Sequence, residues 1–179
     1  ALIYTLPVRR FIWFAMLISL MSACSEDPSQ LLVVVDSDLL IPTELTDVTA
    51  EVRTEAGKFL ASSDFKLVKA SEPTGPSQYR LPLSFGVLQP ESNKETKVLV
   101  EVSAVSTTTT GETQTLFTRR AVTGFVKGKS LLLPMYLSSL CRTLQCGAGQ
   151  TCTQQGRVSE QVDETTLEES TGTEDDLVI

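Results

Sequence analysis

Between residues 79 and 104 the chain alternates apolar and polar side chains twice, and this two-residue period restricts it to β-structure. Tyr79, Leu81, Leu83, Phe85 and Val87 share one face, with Arg80, Pro82, Ser84 and Gly86 on the other. After a polar, turn-like stretch from Gln89 to Glu95, Val98, Val100, Val102 and Ala104 repeat the pattern. Successive side chains of a strand point to opposite faces, so each run must bury its apolar side against a second layer. Pro82 has no N–H to give to a ladder, which places this strand at a sheet edge there.

The flanking sequence continues in the same way. Leu31-Leu-Val-Val-Val35 reads as a buried first strand, and Val48, Ala50 and Val52 alternate with Thr49, Glu51 and Arg53 up to a break at Gly57. Phe65–Lys69 is another short strand, followed by a loop at Glu72–Pro76. A turn at Thr107–Gly111 leads into a strand over Thr115–Val126, and Lys127-Gly128-Lys129 connects it tightly to Leu131–Leu137. About seven strands in 110 residues, with no long helical period, predict an all-β fold. The expected form is an antiparallel, immunoglobulin-like β-sandwich over 30–140. Its expected core is Val33, Val35, Val52, Leu67, Leu81, Leu83, Phe85, Val100, Val102, Phe125, Leu131 and Leu133.

The N-terminus has a different character. Arg9 and Arg10 precede an apolar run of about 13 residues from Phe11 to Ala23, the length of a signal-peptide core and short of the ~20 residues of a membrane span. The run ends in Met21-Ser22-Ala23-Cys24, which resembles the lipobox of bacterial lipoproteins, with Met where Leu is usual. Small residues let a peptidase hold the extended backbone at the cut between Ala23 and Cys24, and the Cys24 thiol accepts the lipid. Acyl chains contribute about 0.8 kcal/mol per buried methylene, so several on one residue anchor a protein stably. Residues 1–23 are therefore expected to be a signal peptide, with a start at Val8 as an alternative reading of a GTG codon. Residues 24–29 are the expected lipidated tether. Ser25, not Asp, follows the cysteine, so the resemblance to lipoproteins implies the outer membrane, on its periplasmic or surface face.

Charge is concentrated at the other end. The net charge is −7, and residues 159–179 hold eight acidic side chains and no Lys or Arg. Setting those eight aside leaves 14 acidic against 15 basic residues. Residues 159–179 are thus expected to be an acidic, disordered tail, and the balance argues against a nucleic-acid partner, which needs clustered cations. Residues 141–158 form a small Cys- and Gly-rich element between sandwich and tail.

Taken together, the chain resembles myxobacterial-type surface lipoproteins, in which a lipobox precedes an immunoglobulin-like or carboxypeptidase-regulatory-like sandwich and a small Cys-rich element. The segments that carry the resemblance are Gln30–Leu39, Arg120–Val126 with Leu131–Leu137, Cys141–Val158 and Val162–Leu167. The resemblance implies a surface or periplasmic address and no known activity. Its pattern would place a further cysteine near Val158, where this chain has none. With Cys24 assigned to lipid, three cysteines allow one bridge in an oxidising compartment. The expected pair is Cys141–Cys152, worth about 2–3 kcal/mol. Cys146 is then left over, a relic of a lost partner, a reactive thiol or the point of an intermolecular bridge. A zinc site on Cys141, Cys146 and Cys152 lacks a fourth ligand.

Candidate chemistry is sparse. Asp36 and Asp38 at the end of the first strand are weak calcium candidates, against the plainer reading of a polar turn. Arg119, Arg120, Lys127 and Lys129 lie near one expected hairpin and are candidates to contact anionic lipid or polysaccharide, though a solvated sheet face is the simpler account. The chain has no histidine, which removes the commonest general base and metal ligand, and no nucleophile elbow, phosphate loop or dinucleotide fingerprint. Its sole Trp, Trp13, lies in the export segment; of the remaining aromatics, Tyr79 falls on the inward register and Tyr136 is the one expected outside. No cofactor and no enzymatic activity are expected. The expected role is that of a noncatalytic, lipid-anchored envelope protein presenting a β-sandwich for protein interaction, adhesion or envelope structure. The alternative is a periplasmic or surface lipoprotein that binds a metal or a glycan.

Overall fold

The computed structural model describes residues 28–90 and 97–170. The signal segment and the last nine residues lie outside them. The described chain is all-β, with three short sheets and only two 3-10 turns, Ser139–Arg142 and Glu164–Thr166, for helical structure. Ten strands follow in order: β1 (Gln30–Ser37), β2 (Asp47–Thr54), β3 (Phe59–Leu67), β4 (Gln78–Tyr79), β5 (Leu83–Leu88), β6 (Val98–Thr107), β7 (Thr113–Thr123), β8 (Ser130–Leu137), β9 (Gln150–Thr153) and β10 (Gly156–Ser159). Two sheets form the sandwich, one of order β5-β1-β8 and one of order β4-β3-β2-β6-β7, and β9 with β10 make a separate hairpin.

The β-branched alternation decides the facing. Leu31, Val33 and Val35 of β1, Leu131, Leu133 and Met135 of β8, and Leu83 and Val87 of β5 turn inward from the smaller sheet. They meet Val48, Ala50 and Val52 of β2, Val98, Val100, Val102 and Ala104 of β6, and Phe65 and Leu67 of β3. Most of the expected core is fully enclosed. Leu81, Phe85 and Phe125 pack against it while only half-buried. Gly57, at φ 85°, turns β2 into β3, a left-handed conformation that a side chain resists.

Three sequence expectations change. The smaller sheet is mixed: β1 runs antiparallel to β5 but parallel to β8, in register from Gln30↔Ser130 to Ser37↔Leu137. A parallel pair needs a long crossover, here the whole of the larger sheet. Second, the regular run from Tyr79 to Val87 is two strands. Its start, β4, pairs parallel with the end of β3 in the larger sheet, and β5 joins β1 in the other. The chain changes sheets at Arg80–Pro82, where proline interrupts the ladder and both pieces become edges. Tyr79 is accordingly half-exposed, edge-on to Phe65 with ring centroids 5.1 Å apart. Third, β7 and β8 are not a hairpin; Lys127-Gly128-Lys129 carries the chain from one sheet to the other.

A further correction concerns the acidic tail. Residues 160–170 are laid across the molecule. The Val122 N–H donates to the Glu160 carbonyl at 2.7 Å, and the Val162 N–H returns a bond to Val122 at 2.9 Å. Eight residues on, the Leu132 N–H donates to the Glu168 carbonyl and the Ser170 N–H to the Ser130 carbonyl, at 2.8 and 2.7 Å. The strap thus joins the outer edge of β7 to that of β8, and Val162 and Leu167 pack on the core between them. Two apolar residues five apart carry no strand or helix period, which is why composition alone reads this stretch as unstructured.

Candidate functional site

The two long sides of the sandwich end in different strand pairs. Between β7 and β8, the hairpin β9–β10 and the strap fill the gap. Between β3 and β5, the sides stay apart and leave a groove of about 760 Å³. Ala50, Val52 and Leu60 form its wall on the larger sheet, and Phe85, Val87 and Leu88 face them from β5. Pro28 and Ser29, where the described chain begins, stand at its mouth. Toward the far end, Phe65 stacks on Phe85 at 5.6 Å and contacts Tyr79, so an aromatic cluster joins the sheets there.

Both strands that flank this groove have open edges. β3 pairs with β2 over its length, but on its other side β4 covers only Lys66 and Leu67. Among the described residues nothing pairs with its outer edge from Phe59 to Phe65, nor with the outer edge of β5. Phe59 and Leu88, at the tether end of these strands, are 53% and 63% exposed. An unpaired edge presents a row of N–H and C=O groups that another extended chain can satisfy.

The Cys-rich element works on the opposite side. Cys141 and Cys152 form a disulfide and are buried, while Cys146 is a free, exposed thiol. The bridge ties the end of β8 to β9, and β9 lies along β7, where Thr151 Oγ1 accepts from the Arg120 N–H at 2.8 Å. Asp38, one of the two calcium candidates, belongs to this junction. Its carboxylate accepts from the Ser139 N–H at 2.6 Å and from the Ser139 hydroxyl at 3.0 Å. Asp36 accepts from the Ser37 N–H at 2.8 Å. Asp38 thus ties the end of β1 to the residues after β8, and among the described residues no group of three acidic or cysteine side chains is placed to hold a metal. Glu44 completes the junction through Arg142 at 2.7 Å. Its carboxyl is held below the ordinary value by the Leu40 N–H and then by Arg142.

The four basic residues near β7 do not share a face. Arg120 points outward, 3.0 Å from Glu101 and 3.6 Å from Glu160 of the strap. Lys129 pairs with Glu169 at 2.7 Å. Arg119 lies opposite Val102 on the inward register. Burial draws its guanidinium down to about 10. Sequence reading groups this residue with its basic neighbours as a surface cation, although its parity sets it apart: stepping back by twos from the expected core residue Phe125 passes Thr123 and Ala121 and lands on Arg119.

Cys24 and Ala23 lie outside the described residues, as does the export segment. Among the described residues no helix is long and apolar enough to cross a membrane. No family model, curated protein or solved structure matches this chain.

Proposed function

We propose that the chain is an exported, noncatalytic envelope protein, lipid-anchored through Cys24, whose open β3–β5 side receives an extended segment of another protein. The observation that carries this reading is the apolar groove bordered by two unpaired strand edges. Main-chain bonds to such an edge supply affinity, and pockets for alternate side chains supply selectivity. The lipobox-like Met21–Cys24 supports the anchor and the outer-membrane address. The first described residues, Pro28 and Ser29, lie at the mouth of the groove, so the docking side begins beside the tether. We read the sandwich as immunoglobulin-like, on the strength of its two facing sheets and its strand that changes sheet, and the whole as kin to the surface lipoproteins it resembles. The lack of histidine supports a noncatalytic role.

Two measurements test the reading separately. Labelled palmitate should enter the protein, accumulate in the uncleaved form under globomycin, and fail to enter a Cys24→Ala variant; label in that variant refutes the anchor. A photo-crosslinking residue at Ser62 or Gly86 should give discrete protein adducts in intact envelopes, with none from Glu112 on the far turn. Equal yields from all three positions refute the docking side.

A further inference from the structure

Arg119 is a cation brought into the molecule without an anion. It forms no ion pair among the described residues. One of its terminal nitrogens donates to the Tyr136 carbonyl at 3.0 Å, and its Nε is fully buried with no partner. A guanidinium has five N–H donors in a planar fork, so most of this one's capacity is unspent.

The space beside it is a cavity of about 340 Å³, lined by Arg119, Pro134, Tyr136, Thr153, Gln154 and Gln155. That volume lies at the lower end of small-molecule sites, roughly 300–1,000 Å³. The lining mixes polar groups with the apolar surface of Pro134 and Tyr136. Gln154 makes no hydrogen bond through its amide among the described residues. Gln155 uses only its carbonyl oxygen, toward the Thr153 hydroxyl at 3.0 Å, and its two N–H donors are unspent. Gln154 and Gln155 form the turn of the β9–β10 hairpin. The Cys141–Cys152 bridge holds that turn over Arg119, and Cys141 Sγ lies 3.9 Å from the Thr153 carbonyl.

We propose that this cavity binds an acidic saccharide, a hexuronic acid whose carboxylate sits on the Arg119 fork and whose hydroxyls meet the Gln154 and Gln155 amides. A planar guanidinium matches a carboxylate in two parallel bonds. Side-chain amides that both donate and accept suit neighbouring hydroxyls, and Pro134 and Tyr136 offer apolar surface for the carbon face of a sugar ring. The site is separate from the β3–β5 groove and does not rest on the anchor.

The test titrates oligogalacturonate into the full chain in detergent micelles, with neutral galactan of equal length as control. The acidic oligomer should bind, shift the side-chain amide resonances of Gln154 and Gln155, and weaken as salt is added. Galactan should not bind. Arg119→Gln should weaken binding by about tenfold or more. If that variant does not fold, Arg119→Lys keeps the charge without the fork and should weaken binding in the same direction. The proposal is overturned if neither galacturonate nor glucuronate oligomers bind, if galactan binds equally, if Arg119 variants bind as well as the parent, or if peptides bind through a terminal carboxylate in the sugars' place.

Discussion

Along β7 and β8 the sandwich is sutured by its own polypeptide, whereas along β3 and β5 it is left open. The sutured side uses a disulfide, a hairpin, four backbone hydrogen bonds from the strap and the ion pairs of Arg120 and Lys129. The open side has exposed Phe59 and Leu88, two bare strand edges and a groove. The same two-sheet core lies behind both, so the difference comes from chain added after β8. A sandwich needs its edges covered, and among the described residues only the β7–β8 side is covered, by the segment that follows β8.

Removing the bridge should break the comparison most. Cys141→Ser, or reductant on the parent, should lower unfolding free energy by about 3 kcal/mol, read from urea midpoints at unchanged slope. Leu167→Ala should cost about 1–2 kcal/mol, since that side chain is half-buried, and should raise proteolytic cutting within 160–170. Gly124→Ala comes next, at about 1 kcal/mol. A methyl there would lie 3.1 Å from the Glu164 carboxyl carbon, so that side chain would have to shift by a few tenths of an ångström. Leu88→Lys on the open side should change stability by less than about 0.5 kcal/mol while lowering the crosslink yield from Gly86. If Leu88→Lys proved as costly as Leu167→Ala, the two sides would not differ as described.

Acid sharpens the same contrast. The Thr165 hydroxyl and N–H hold the Asp163 carboxyl below its ordinary 3.8, and Glu44 is likewise held below 4.5. A depressed carboxyl stabilises the fold above its unfolded value, and that contribution is lost as pH falls through the folded one. Amide protection factors, corrected for the intrinsic exchange rate at each pH, should therefore fall in the strap and at the 38–46 loop as pH drops below about 4, before those in β6 do. Both carboxyls are exposed, so the change should be small and weaker in salt.

The comparison also shows what the sequence discloses. Period-two runs found β2, β5 and β6 and short continuous apolar runs found β1 and β8, and together they gave most of the enclosed core, because burial leaves a mark in the pattern. They misjudged the Tyr79–Val87 run, since a strand that moves to the facing sheet keeps its alternation when both ends still look inward. Arg119 was grouped with its basic neighbours because residue type outweighed parity. Its register with Val102 is continuous with that of Ala121 and Thr123, and the bulge at Leu116 shifts only the residues before it. The strap was invisible for a different reason: its backbone, not its side chains, makes most of its attachments. The candidate groove was equally hidden, being a gap between strands that lie far apart in sequence.

The parallel pairing of β1 with β8 has a temporal side. Gln30 meets Ser130, so the first strand waits for a partner made a hundred residues later. Nonlocal pairings of this kind are slow to form. A chain threaded through a pore from its N-terminus would hold Leu31–Val35 half-satisfied until nearly all of it had passed. Late completion keeps such a polypeptide loose while it travels and lets it lock only on arrival.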